Sequence, residues 1–168
     1  LQQSIDKTLQ MAKGFKGRPK FVVHLGGMTL DDALNPSDRM MNRAIDNFKK
    51  LKFNSSDIEI LPENLPPRPW YLGGQWFQYG FMKSKDMLSF CDYFGLNMTL
   101  DICHAALHCN HDNILLSSYV LEVLHKSSHM HLSDAVGIDG EGVQIGEGTI
   151  NFESLMDIIN RKKEPFSW

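Results

Sequence analysis

Histidines and carboxylates recur in this sequence at the ends of short apolar runs. His24 closes Lys20-Phe-Val-Val, Glu63 follows Ile58-Glu-Ile-Leu-Pro, Asp101 closes Leu96-Asn-Met-Thr-Leu, and His129 and His131 lie in Ser128-His-Met-His-Leu132. Imidazole nitrogens and carboxylate oxygens suit a divalent cation such as zinc, manganese or cobalt. One His at a strand end is ordinarily a hydrogen-bonded structural group; four successive runs ending this way are not. Asp101-Ile-Cys-His104 adds a local pair. Either a turn brings His104 back toward Asp101, or Asp101 caps the next segment beside an unrelated His. His104 and His108 stand four apart, but Ala105-Ala-Leu107 lacks the Glu of H-E-x-x-H, which excludes a zinc-protease helix. His108 and His111 read as surface or capping groups. His129 and His131 share one strand face, and His131, nearer the C-terminal end, is the better ligand candidate.

Two loops flank these residues. Positions 65–80 hold three Pro, three Gly, two Trp and two Tyr. Aromatic residues this dense need something to pack against, so the stretch reads as an ordered loop. Trp70 there is assigned to a lid or substrate-stacking platform, with packing against an adjacent loop as the alternative. Arg68, near Glu63, is assigned to a substrate phosphate, with a surface salt bridge as its alternative. A second loop, 134–148, carries Asp139, Glu141 and Glu147 among five Gly, and Asp139 is taken as the acid facing substrate.

The elements that must position these side chains alternate. Helical spacing of apolar residues is expected over 1–14, from 37 or 38 to 52, over 84–94 with Ser84 as its cap, over 113–126, and over 152–161. Strands are expected at 20–24, 57–61, 96–101 and 128–132, and Pro165 to Trp168 reads as the start of a fifth. Strands alternating with helices imply parallel β/α units. A doubly wound sheet and a β/α barrel both fit, but no G-x-G-x-x-G turn follows a strand to favour the first. A full barrel takes about 250 residues, or roughly 31 per unit. The 168 residues thus read as one domain, 1–168, holding the middle units of an incomplete TIM-type (β/α) barrel, a fragment of a longer polypeptide. A partial barrel leaves strand edges unpaired, so homo-oligomerisation or association with missing segments is expected.

Composition narrows the function classes. The chain is 42% hydrophobic, with 17 Lys+Arg against 20 Asp+Glu and a pI near 6.2. A net charge of −3 gives no general attraction to nucleic acid or anionic lipid. The basic clusters Lys13, Lys16, Arg18, Lys20 and Arg161-Lys-Lys163 read as solvated faces. No run of eighteen apolar residues is present, so no spanning helix is expected. Cys91, Cys103 and Cys109 form no C-x-x-C pair and read as reduced thiols of a cytoplasmic protein.

Taken in order, His24 in Phe-Val-Val-His-Leu-Gly-Gly, Glu63 in Leu-Pro-Glu-Asn, Asp101-x-x-His104, His131-Leu-Ser-Asp134 and Ile145-Gly-Glu-Gly148 with Ile150-Asn-Phe152 form a succession. It resembles the xylose-isomerase-like barrel superfamily, which includes sugar and sugar-phosphate isomerases and epimerases, inosose dehydratases and type-IV apurinic endonucleases. The resemblance implies a divalent-metal-dependent isomerase or epimerase working through an enediolate on a small sugar or sugar phosphate. It implies Glu63, Asp101 and His131 as metal ligands, with Glu63 also an acid/base. His104 is implied as a ligand or a catalytic, substrate-binding group, and His24 matches a position that binds an additional metal in the endonucleases. Gly146-Glu-Gly148 matches a turn before the next helix, so Glu147 is not taken as a ligand. The sequence departs from the pattern in two ways. The family's first and last strands are absent, and with them a Glu expected on the strand beginning near Trp168. Loop 137–144 also lacks the Asp-x-His pair of the endonucleases. The alternatives are thus a metal-dependent phosphodiesterase acting on abasic DNA, and a non-catalytic barrel domain of a larger enzyme.

Overall fold

The computed structural model describes residues 1–30, 38–54, 56–162 and 166–168. Helix α1 (Gln2–Ala12) leads to strands β1 (Lys20–His24) and β2 (Gly27–Thr29) and helix α2 (Asp38–Phe48). The expected cap at Ser37, and Lys163 and Pro165 near the end, lie outside the described residues. Strand β3 (Glu59–Glu63) is followed by three short strands, β4 (Trp70–Tyr71), β5 (Gly74–Gln75) and β6 (Phe77–Tyr79), then α3 (Ser84–Phe94). Strand β7 (Met98–Asp101) runs directly into α4 (Ile102–Asp112), and α5 (Leu116–Val123) precedes β8 (Ser127–His131). A hairpin of β9 (Asp134–Val136) and β10 (Gly140–Val143) comes next, and α6 (Phe152–Ile159) is the last helix.

The four longer strands form one parallel sheet in the order β1-β3-β7-β8, and Ser167 pairs in parallel with His129 on the far side of β8. The strand order follows the chain order with no reversal, as in a barrel; a doubly wound sheet reverses at its switch point. Curvature is visible in one bond. Lys20 Nζ on β1 donates to the Ser128 carbonyl on β8 (2.6 Å) and to Ser167 Oγ (2.8 Å). In a flat sheet β1 and β8 stand three spacings apart, about 14 Å. A lysine spans that gap only if the sheet curls toward closure.

Alternation along the strands separates two faces. Val23, Ile60, Leu100 and Met130 turn outward into a core shared with Ile5, Phe48, Met87, Phe90, Val120, Val123 and Leu155 of the helices. Phe48, Phe90 and Phe94 stack there with centroids 4.6–5.3 Å apart. Burial of each such side chain stabilises by about 1.5–3 kcal/mol. The other face carries His24, Glu63, Asp101 and His131 at the strand C-termini. Register links them in pairs: His24 lies opposite Glu63, and Asp101 opposite His131.

Several local expectations are corrected. No turn follows Asp101; α4 starts there. Residues 102–109 are all buried, the polar His104 and His108 included, so the first two turns of this helix have no solvent face. Asn113 is its left-handed C-cap (φ 57°), not the N-cap of the next helix, which spans only Leu116–Val123. Ser84 is the first helical residue, behind Lys83, and its hydroxyl goes to Glu122 instead of capping. Gly95 does end α3 in the left-handed conformation (φ 64°). The aromatic loop is two pieces of antiparallel structure, β4 with β5 and β6 with β2. Among the described residues, no helix is long and apolar enough to cross a membrane.

Candidate metal and sugar site

Glu63 and Asp101 are 2% and 7% exposed, and their strand-end positions place them side by side. Glu63 is gripped from both sides: His24 Nε2 donates to Oε2 and His131 Nδ1 to Oε1, each at 2.6 Å. His131 Nδ1 also lies 3.7 Å from Asp101 Oδ2. Asp101 caps α4 by accepting the His104 N–H (2.7 Å), which fixes where the His104 side chain leaves the helix. Asp101 is thus the cap of the next segment, and that cap, not a turn, sets His104 beside it.

Asn64, fully buried, ties the cluster together. Its amide accepts from Asp101 N–H (2.8 Å) and donates to the Asp101 carbonyl (2.9 Å). The side chain thus continues the β3–β7 ladder beyond the Glu63–Thr99 pair, where backbone pairing stops. The Asn64 carbonyl in turn accepts a hydrogen bond from His104 Nδ1 (2.8 Å). A carbonyl only accepts, so Nδ1 carries a proton. His104 Nε2 donates to Glu141 Oε1 of β10 at 3.0 Å.

These contacts set the local electrostatics. Burial pushes the Glu63 carboxyl up, but the His24 hydrogen bond and the charges of His131, His104 and His24 outweigh it and hold it below the ordinary range. Burial, with Glu63 nearby, raises Asp101 above it. The Glu63 hydrogen bond raises His24. For His104, burial opposes protonation, yet Glu141, Asp101 and the Asn64 carbonyl raise it to about 9. Two neighbouring carboxylates countered chiefly by imidazoles fit a divalent cation. Glu63, Asp101 and His104 each offer a ligand atom within 4.8 Å of the others. In this cluster His104 Nδ1 bonds the Asn64 carbonyl and Nε2 bonds Glu141, while His131 Nδ1 bonds Glu63 Oε1.

The cluster opens into a cleft of about 370 Å³. Leu25, Met28, Leu65, Pro66, Trp70 and Tyr71 form its apolar wall, and His24, Gln78, His104 and Glu141 its polar groups. Trp70, on the β4–β5 hairpin, lines the cleft. Arg68 does not line it; its guanidinium lies 5.3 Å from the Phe77 ring centroid. Asp139 also turns aside, accepting from Gln75 Nε2 (2.8 Å), and the acid of that loop in the cleft is Glu141. His129 sits behind His131, its Nδ1 within 3.0 Å of Ser167 oxygens. His111 is exposed and bonded to Asp112, but His108 is buried against Tyr119, not on the surface. Asp134 is structural: its carboxylate accepts from the N–H groups of Ala135, Gly146, Gly148 and Ile150, all at 2.9–3.0 Å. Asn64 and Glu141 carried no sequence signal for these roles, because each acts on a partner 37 residues away.

A curling parallel β/α sheet with imidazoles and carboxylates at its strand C-termini defines a TIM-type barrel with its site at the usual end. The chain belongs to the xylose isomerase-like TIM-barrel family, whose model matches residues 3–166. Its fold is similar to a D-tagatose 3-epimerase-like protein (TM-score 0.70, 19% identity) and to an L-ribulose 3-epimerase (TM-score 0.69, 15% identity). Each alignment covers 98% of this chain, which spans 60% and 52% of those proteins respectively. The structure titled AsfvAP:AG aligns at a TM-score of 0.55 and 16% identity over 99% of this chain and 59% of that one. No curated protein matches by sequence.

Proposed function

We propose that the protein is a divalent-metal-dependent sugar or sugar-phosphate isomerase or epimerase acting through an enediolate. The observation that carries this is the pair of buried strand-end carboxylates, Glu63 and Asp101, set behind His24 and His104, which line a cleft with an apolar wall. Glu63, Asp101 and His131 would hold the metal, with His24 bonded to Glu63 from the other side. When bound, the metal supplies charge stabilisation for adjacent substrate oxygens as a proton leaves carbon. Glu63 takes and returns that proton, and its contacts to His24 and His131 fix the carboxylate's orientation. His104 Nε2–H donates to a substrate oxygen on which negative charge develops. Trp70 and Tyr71 cover the apolar face of the carbon chain. Lys20 and Arg18 are engaged in bonds to backbone carbonyls, which favours a sugar over a nucleic-acid backbone.

The test is twofold. Elemental analysis of chelator-free protein should find about one divalent ion, and the full polypeptide should exchange a ketose C–H with solvent deuterium. Glu63→Gln should slow that exchange by about 10²–10⁴-fold. Absence of exchange across ketoses and their phosphates, with manganese or zinc supplied, sinks the reading. Unchanged activity of Asp101→Ala would instead mark a non-catalytic domain.

A further inference from the structure

The polar rim of the cleft contains a carboxylate that the proposed chemistry does not use. Glu141 lines the cleft and accepts from His104 Nε2 at 3.0 Å. His104 Nδ1 is committed to the Asn64 carbonyl, so Nε2 is the one ring atom it presents to a ligand. Any substrate oxygen that engages His104 therefore arrives beside Glu141. The carboxylate is presented by an anchored hairpin. Asn110 Nδ2 donates to the Gly137 carbonyl (2.7 Å), Gly142 N–H meets Cys103 Sγ (3.4 Å), and Gln75 ties Asp139 to the opposite hairpin (2.8 Å).

We infer that His104 and Glu141 together receive one substrate hydroxyl, His104 Nε2–H donating to its oxygen and Glu141 accepting its hydrogen. This deepens the sugar-isomerase reading and rests on it. A hydroxyl is both acceptor and donor and satisfies both groups, whereas an ester, ether or phosphate oxygen there accepts only and leaves the Glu141 carboxylate facing a lone pair. Glu141 is thus a specificity-determining residue that demands a free hydroxyl at one position of the substrate.

The test is a cycle between protein and ligand, using the full polypeptide with manganese. Binding of D-tagatose and L-ribulose, and of their single-deoxy analogues, is measured by calorimetry for the wild type, Glu141→Leu and Glu141→Gln. Removing an acceptor from a desolvated hydroxyl should weaken ketose binding about 10- to 100-fold in Glu141→Leu. Glu141→Gln, which keeps an acceptor oxygen, should recover much of that loss. One deoxy analogue should bind the wild type as weakly as the parent sugar binds Glu141→Leu, and should lose nothing further in that variant. If every analogue loses the same factor in wild type and variant, or if Glu141→Leu binds the parent sugars normally, the inference is wrong and the sugar reading survives. If the wild type binds no ketose, both fail together. A Glu141→Leu protein that does not fold moves the decision to Glu141→Gln, where the same single analogue must escape the variant's loss.

Discussion

Asn64 shows how one side chain organises a site without touching a ligand. Two bonds from its amide join the strand after Glu63 to the Asp101 N–H and carbonyl, and its backbone carbonyl adds one to His104. Asn64→Leu removes the acceptor of the buried Asp101 N–H and one donor to the Asp101 carbonyl, at about 1–3 kcal/mol for a group left unsatisfied. Urea denaturation should show that loss, and metal affinity should fall about 10- to 100-fold, as for other residues that orient ligands. A variant with wild-type stability and affinity would show that Asn64 only fills space. His104 gives a pH signature. Its pKa is raised from 6.5 to about 9 in the folded state. A base raised this way contributes its stability fully below pH 6.5 and loses it as pH climbs through about 9. Chelator-treated protein should therefore melt at progressively lower temperature from pH 6.5 to 9. Glu141→Gln should flatten that slope by removing the carboxylate that favours the imidazolium.

The two hairpins beside the sheet are built differently. The β9–β10 hairpin is organised by Asp134, whose carboxylate gathers four backbone N–H groups, and by Gly148, where a Cβ would overlap Asp134 Oδ1. Those bonds hold Asp134 below the ordinary carboxylate range against the effect of burial, so their contribution is present above pH 4 and lost as pH falls further. Gly148→Ala should lower thermal stability and loosen Glu141 from His104, weakening ketose binding along with it; unchanged melting and binding would contradict this. The β4–β5 hairpin turns through Leu72, a non-glycine at φ 51° that is 82% exposed. Left-handed backbone costs an ordinary residue about 1–2 kcal/mol, and Asn tolerates it better. Leu72→Asn should raise stability by up to about 1 kcal/mol in urea denaturation.

Across the sheet, β1 pairs only with β3 among the described residues, while β8 gains Ser167 as a further neighbour. The strands form an open arc of a barrel, bridged by Lys20, with one edge of β1 free to pair. Open edges promote association. The 168 residues alone should self-associate in sedimentation velocity and be stabilised by adding further barrel segments. A monomer that melts in a single cooperative transition would show that the arc is self-sufficient.

The family resemblance pointed to the barrel, and parallel β/α units were readable from the alternation of apolar strands and helices, because period and spacing are local properties. So were the four strand-end groups, since a β-strand's polar terminus stands out against its apolar run. Helix α4 was not readable: residues 102–109 are buried on every side, His104 and His108 included, so burial there does not follow the polarity of the sequence. The choice of Asp139 over Glu141 in the second loop, and the overlooked Asn64, share one cause. Which acid of a glycine-rich loop faces the cleft depends on hairpin register and on the Gln75 contact across it. Whether an amide becomes a strut depends on a strand end 37 residues away. Sequence determined the order of strands, the donor types at their ends and the family. Tertiary structure alone decided which donors meet and which nitrogen of His104 faces Glu141, because those outcomes rest on contacts between segments with no local signature.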